Sequence, residues 1–103
     1  MKTVVTAVMT AGVLLIGFEV HASPELSKAK NCQVCHAAST KLVGPSFKEI
    51  AAKYAADSGA AARLEQKIRK GSTGVWGPIP MPANPQVNAS EALTLTQWIL
   101  KQK

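Results

Sequence analysis

Only two cysteines occur in the 103 residues, and they stand two apart. Aromatic residues are equally sparse, with two Trp, two Phe and one Tyr. Lys and Arg outnumber Asp and Glu by 12 to 6, yet they are scattered and form no basic run. A net charge of +6 without a basic stripe or a platform of stacking aromatics does not describe a nucleic-acid surface. It suits a basic surface that meets acidic proteins. The chain also lacks internal repeats, low-complexity tracts and any sustained alternation of apolar and polar residues, and β-branched residues are few beyond its N-terminal segment. These absences exclude a repeat array and a sheet-based domain. They leave one small all-α domain.

The one long uncharged run is TVVTAVMTAGVLLIGF, directly after Lys2. It is short of the roughly 20 residues a membrane span requires. It closes on Val20-His21-Ala22, with small residues at the last and third-last positions. This pattern predicts a secretory signal peptide over 1–22, cleaved after Ala22, against the alternative of an uncleaved anchor. Glu19, just ahead of the site, is unusual there. Cleavage removes Lys2 and Glu19 together, so the mature chain, 23–103, keeps the charge of +6 and carries no membrane span. The expected destination is a bacterial periplasm.

Four helical segments follow. SPEL begins the first, with Ser23 able to cap, Pro24 in the first turn and Glu25 near the positive end of the helix dipole. It is expected to run through Lys30 into the cysteine motif. Phe47, Ile50, Ala51 and Tyr54 are spaced as one face of a second helix starting near Ser46 and broken by DSG at 57–59. AAARLEQKIRK predicts a third, with Leu64 and Ile68 on one side and Gly71 beyond its end. STGVWGPIPMPANPQV can hold neither a helix nor a central strand. Asn88 and Glu91 have capping-box spacing for a last helix whose apolar face is Leu95, Trp98 and Ile99, with Lys101 and Lys103 at its negative end. A domain this small is marginally stable unless something is added to its core, and a buried cofactor would serve.

Residues 32–36 read CQVCH. A zinc site needs about four ligands, and beyond residue 22 only Cys32, Cys35 and His36 are at hand. A dithiol oxidoreductase places its Cys-x-x-Cys near a βαβ pattern, which is missing. A Cys32–Cys35 disulfide is in keeping with an oxidising compartment, but it closes too short a loop to restrict the unfolded chain much. It also leaves the proline-rich loop without a purpose. Covalent haem attachment uses every element: two thiols for the porphyrin vinyl groups, and His36 next in the chain as an axial ligand to iron. For the sixth position the candidate is Met81, the only methionine beyond residue 22, in a loop stiffened by Pro78, Pro80 and Pro82. The alternative is a methionine that merely fills the core. His/Met ligation raises the iron potential and is used for electron transfer.

CQVCH, KLVGPSFKEIAAKYA, GSTGVWGPIPMPAN and TQWILKQK, in this order and spacing, resemble the small bacterial class I cytochromes c of the cytochrome c-551 family, over nearly all of the mature chain. The resemblance implies four α-helices around one covalent haem c, held through Cys32 and Cys35, with His36 and Met81 as the axial ligands of the iron. It implies that the Pro45 carbonyl accepts the Nδ1–H of His36, that Asn84 hydrogen-bonds near the methionine sulfur, and that the Trp76 indole N–H reaches a haem propionate. Read as plain residues, Pro45 could start a helix, Trp76 and Trp98 could be core aromatics, and Asn84 could be a turn residue before Pro85. In some relatives an arginine also contacts that propionate; here Lys67 holds the position and offers a point charge in place of a planar fork. The family further implies a monomeric electron carrier and not an enzyme, with a membrane cytochrome as donor and a periplasmic reductase or oxidase as acceptor. Lys28, Lys30 and Lys41 are candidates for a docking ring. The rival function is a haem sensor or peroxidase-type domain whose sixth ligand dissociates.

Overall fold

The computed structural model of the chain describes residues 3–5, 7–13 and 24–103. Residues 3–5 and 7–13 are exposed and adopt neither helix nor strand. The cleavage site after Ala22 and the Ser23 cap lie outside the described residues. Four α-helices follow: α1, Pro24–Ala29; α2, Phe47–Lys53; α3, Ala60–Lys70; and α4, Ala89–Leu100. The described residues contain no strand, only two isolated bridges, His36 with Lys41 and Ser72 with Met81. No helix among them is long and apolar enough to cross a membrane.

The first helix is shorter than its sequence suggests. It ends at Ala29, and a separate 3-10 turn, Cys32–Val34, carries the cysteine motif. Asn31 between them has φ 65°. This left-handed conformation interrupts a right-handed helix, and asparagine is among the few residues that adopt it at modest cost. The break re-aims the cysteines relative to α1.

Helices α2 and α4 begin with reciprocal caps. The Ser46 side chain accepts from the Glu49 N–H while the Glu49 carboxylate accepts from the Ser46 N–H. Asn88 and Glu91 do the same for α4. Each pair satisfies two backbone donors that a helix start leaves open. Tyr54 is the C-cap of α2, so that helix ends ahead of the DSG break and the chain turns through Asp57, whose N–H donates to the Tyr54 carbonyl.

Helix α4 packs on both α3 and α2. Ile68, Val87, Ala92 and Leu95 form the buried core between them, and Leu26, Cys32, Met81 and Ile99 pack against it. This core is small. Thr96, fully buried on α4, has a hydroxyl with no hydrogen-bond partner.

Candidate functional site

The cysteine motif, the α2 start, one face of α3 and the proline-rich loop enclose one cavity of about 700 Å³. This lies within the range of roughly 300–1,000 Å³ typical of ligand and cofactor pockets. Cys32, Cys35, His36, Pro45, Trp76, Met81 and Asn84 all line it. Residues far apart in sequence thus converge on one space.

The proximal wall is built by short-range bonds. The His36 N–H donates to the Cys32 carbonyl at 3.0 Å, and the Gly44 N–H donates to the Cys35 carbonyl at 2.9 Å. His36 Nδ1 lies 2.7 Å from the carbonyl oxygen of Pro45. A carbonyl can only accept, so this bond requires the proton on Nδ1. That leaves Nε2 with its lone pair, the form in which imidazole binds a metal. Phe47 stacks on the imidazole at 5.5 Å between centroids and 21° between planes, and Trp98 meets Phe47 edge-on at 5.0 Å. Gly44 makes room for this: a Cβ there would fall 2.6 Å from His36 Cε1. The Phe47 contact was not legible beyond its helical spacing, because stacking on His36 depends on how the loop 37–46 folds back.

Cys32 and Cys35 form no disulfide, and each is half-buried. Burial pushes an unreacted Cys32 thiol above its ordinary pKa. The motif is also tied to α1. Ser27, fully buried, donates to the Pro24 carbonyl at 2.9 Å and accepts from Gln33 Nε2 at 2.9 Å.

The distal wall is the loop from Gly71 to Val87. Met81 exchanges two backbone hydrogen bonds with Ser72, at 2.8 and 3.0 Å. Gly71, at φ 84°, permits this approach, since a Cβ there would meet the Met81 carbonyl oxygen at 2.7 Å. Asn84 lines the same cavity as Met81. Its amide donates to the Ile68 carbonyl at 2.8 Å, and its backbone N–H to the Arg69 carbonyl at 3.3 Å. These bonds tie the loop after Met81 to the last turn of α3.

Trp76 is 41 % exposed, with Lys53 Nζ 5.4 Å from its ring centroid. Lys67 lines the cavity, its ammonium 5.9 Å from the Tyr54 ring. Of the three candidate docking lysines, Lys28 and Lys41 are exposed, whereas Lys30 is half-buried and pairs with Glu91 at 3.0 Å. The pairing needs a neighbour 61 positions away, which local sequence does not announce.

The donor set fits a covalent haem: two thiols on one turn, an imidazole with Nε2 available, a thioether across the cavity, and an apolar lining. Among the described residues no cluster of His, Cys, Asp and Glu could hold a bare metal ion. Comparison with known proteins agrees. Residues 21–103 match the family model described as Cytochrome c. The chain is 50 % identical to cytochrome c-551 of Pseudomonas aeruginosa, over 94 % of this chain and 93 % of the relative. It is 47 % identical to cytochrome c-552 of Nitrosomonas europaea over the full length of both. The crystal structure of Nitrosomonas europaea cytochrome c552 superposes with a TM-score of 0.77 at 51 % identity, covering 79 % of this chain and all of that one.

Proposed function

The chain belongs to the cytochrome c family, whose members carry covalent haem c and transport electrons, and we propose that it is a one-electron carrier of the bacterial periplasm with His36 and Met81 as axial ligands. The observation that carries this reading is the convergence of Cys32, Cys35, His36 and Met81 on one cavity. Cys32 and Cys35 would hold the porphyrin by thioether bonds, and His36 Nε2 and the Met81 sulfur would hold the iron. The bound iron supplies a couple between Fe(III) and Fe(II).

The protein's own residues do the rest. Pro45 keeps the proton on His36 Nδ1 and fixes the plane of the ring, and such a hydrogen bond tunes the metal behind it. Phe47 blocks rotation of the imidazole. With Met81 also holding the iron, no position would be left there for a substrate. The apolar lining excludes water, and a soft thioether favours the lower oxidation state. Trp76 and Lys67 line the cavity, and the Trp76 indole N–H would donate to a haem propionate.

The cavity opens where Val34, Val43 and Ile79 line it, since these are 72, 52 and 61 % exposed. Lys41 lies on the same cavity. An apolar opening beside a cation suits brief docking of redox proteins with acidic rims, the donor being a membrane cytochrome and the acceptor a periplasmic reductase or oxidase. We assign 1–22 as the cleaved signal peptide and 23–103 as the haem domain, working as a monomer. A redox titration of the exported protein tests the function. The expected result is a reversible one-electron curve, low-spin at both ends, without peroxide turnover. Peroxide consumption would move the function to catalysis.

A further inference from the structure

The distal loop is fastened to the end of α1 by two residues that bond each other in both directions. Lys30 Nζ donates to the Gln86 carbonyl at 3.0 Å, and Gln86 Nε2 donates to the Lys30 carbonyl at 3.2 Å. The same ammonium pairs with Glu91 Oε2 at 3.0 Å, and Glu91 Oε1 accepts from the Asn88 N–H at the start of α4. On the other side, Gln86 Nε2 also donates to Asn84 Oδ1 at 3.1 Å, and Asn84 is bonded to the end of α3. A continuous set of hydrogen bonds therefore runs from two residues before Cys32, through the segment after Met81, to α3 and α4.

This segment needs external ties. Pro82 and Pro85 have no N–H to give, and the backbone supplies only the Asn84 bond to Arg69 and the Val87 bond to Asn84. Lysine on a surface is ordinarily mobile, but the Lys30 side chain is only 23 % exposed and has two partners. Gln86, by contrast, is exposed, so its truncation removes little packing.

We propose that Lys30 and Gln86 are positioning residues for Met81, forming a clasp that holds the distal loop against α1 and so sets how long the thioether stays in the cavity. This rests on the His36/Met81 assignment. The clasp leaves the proximal wall untouched, because none of its bonds reaches residues 35–47.

The test uses the ferric holoprotein and its variants Gln86→Ala, Lys30→Met and Lys30→Arg, with Ala51→Gly as a control. Ala51 is buried in α2 away from the cavity, so glycine there lowers overall stability without opening the clasp. Added imidazole is the probe, and its replacement of Met81 is followed by loss of the far-red methionine–iron band. Amide exchange at Asn84 and Val87 is measured in parallel. Gln86→Ala and Lys30→Met are expected to accelerate replacement about three- to tenfold, the effect of one or two lost hydrogen bonds on a rate. Exchange at both amides should rise with it. Lys30→Arg should stay near wild type, and Ala51→Gly should lower the denaturation midpoint without changing the rate. Wild-type rates in Gln86→Ala and Lys30→Met, or equal acceleration in Ala51→Gly, would overturn the clasp. A wild-type protein without the far-red band would instead overturn the ligand assignment, and the clasp with it.

Discussion

The two walls of the cavity are held by different kinds of contact. On the proximal wall, His36 is fixed by Cys32 and Pro45, the latter 9 residues away. On the distal wall, Met81 pairs with nearby Ser72, but the segment after it is held by Asn84, which reaches 16 residues to Ile68, and by Gln86, which reaches 56 to Lys30. Short loops close at lower entropic cost than long ones. The proximal imidazole should therefore keep its place when the molecule loosens, while the distal thioether depends in part on remote elements staying docked. One wall is fixed by the chain's own neighbours and the other by a neighbour and the fold together.

The strongest way to break this contrast is to remove each ligand in turn. His36→Ala should abolish the low-spin haem spectrum altogether. Met81→Ala should leave the haem attached and make the ferrous protein bind CO. Optical spectra of the two variants check both outcomes.

The glycines come next. Gly71→Ala combines a positive φ with a clash against the Met81 carbonyl, and a cost of about 1–3 kcal/mol is expected. Gly44→Ala presses on a ring already held by Pro45 and Phe47, at a similar cost of about 1–3 kcal/mol for overpacking. Denaturant melts give the sizes and the spectrum gives the side: Gly71→Ala should weaken the far-red band, and Gly44→Ala should shift the potential while keeping it.

Thr96→Val removes the unpartnered buried hydroxyl without touching either wall. It should stabilise the protein by about 1 kcal/mol, since a polar group left without a partner loses its hydration for nothing. Neither ligand signature should change. A thermal melt beside the spectrum decides it.

The smallest effect is acidic. The Asn88 backbone N–H, with help from Lys30, holds the partly exposed Glu91 carboxyl below its ordinary 4.5. A carboxyl lowered on folding contributes stability above its unfolded value and loses it as the pH falls through the folded one. Methionine replacement by imidazole, with the free base held constant, should therefore quicken below about 4.5 in wild type, and this rise should be absent in Glu91→Gln.

Much of the proximal wall was legible in the sequence because its logic is local. CQVCH names its own chemistry, whereas the contact of Pro45 with His36 was expected only through the family resemblance. The α4 start was legible for the same reason, through Asn88 and Glu91. The end of α1 was not: nothing in SKAKN announces that Asn31 turns left-handed, because its own propensity is weak and tertiary packing decides. Lys30 was legible only as a charge near the motif, and its partners Glu91 and Gln86 belong to elements brought up by the fold. The bond from the Asn84 amide to the Ile68 carbonyl was not legible either, because it spans two elements that only the fold brings together.

In the proposed carrier His36 and Met81 would hold the iron of a covalently bound haem, and neither would leave. Optical spectra of the exported protein, oxidised and reduced, before and after CO, decide this. The expected result is a low-spin c-type spectrum with a weak far-red methionine–iron band when oxidised, and no change on adding CO to the reduced form. A reduced spectrum that shifts with CO at neutral pH would contradict it, and would place this protein among haem sensors or peroxidases with a labile sixth ligand.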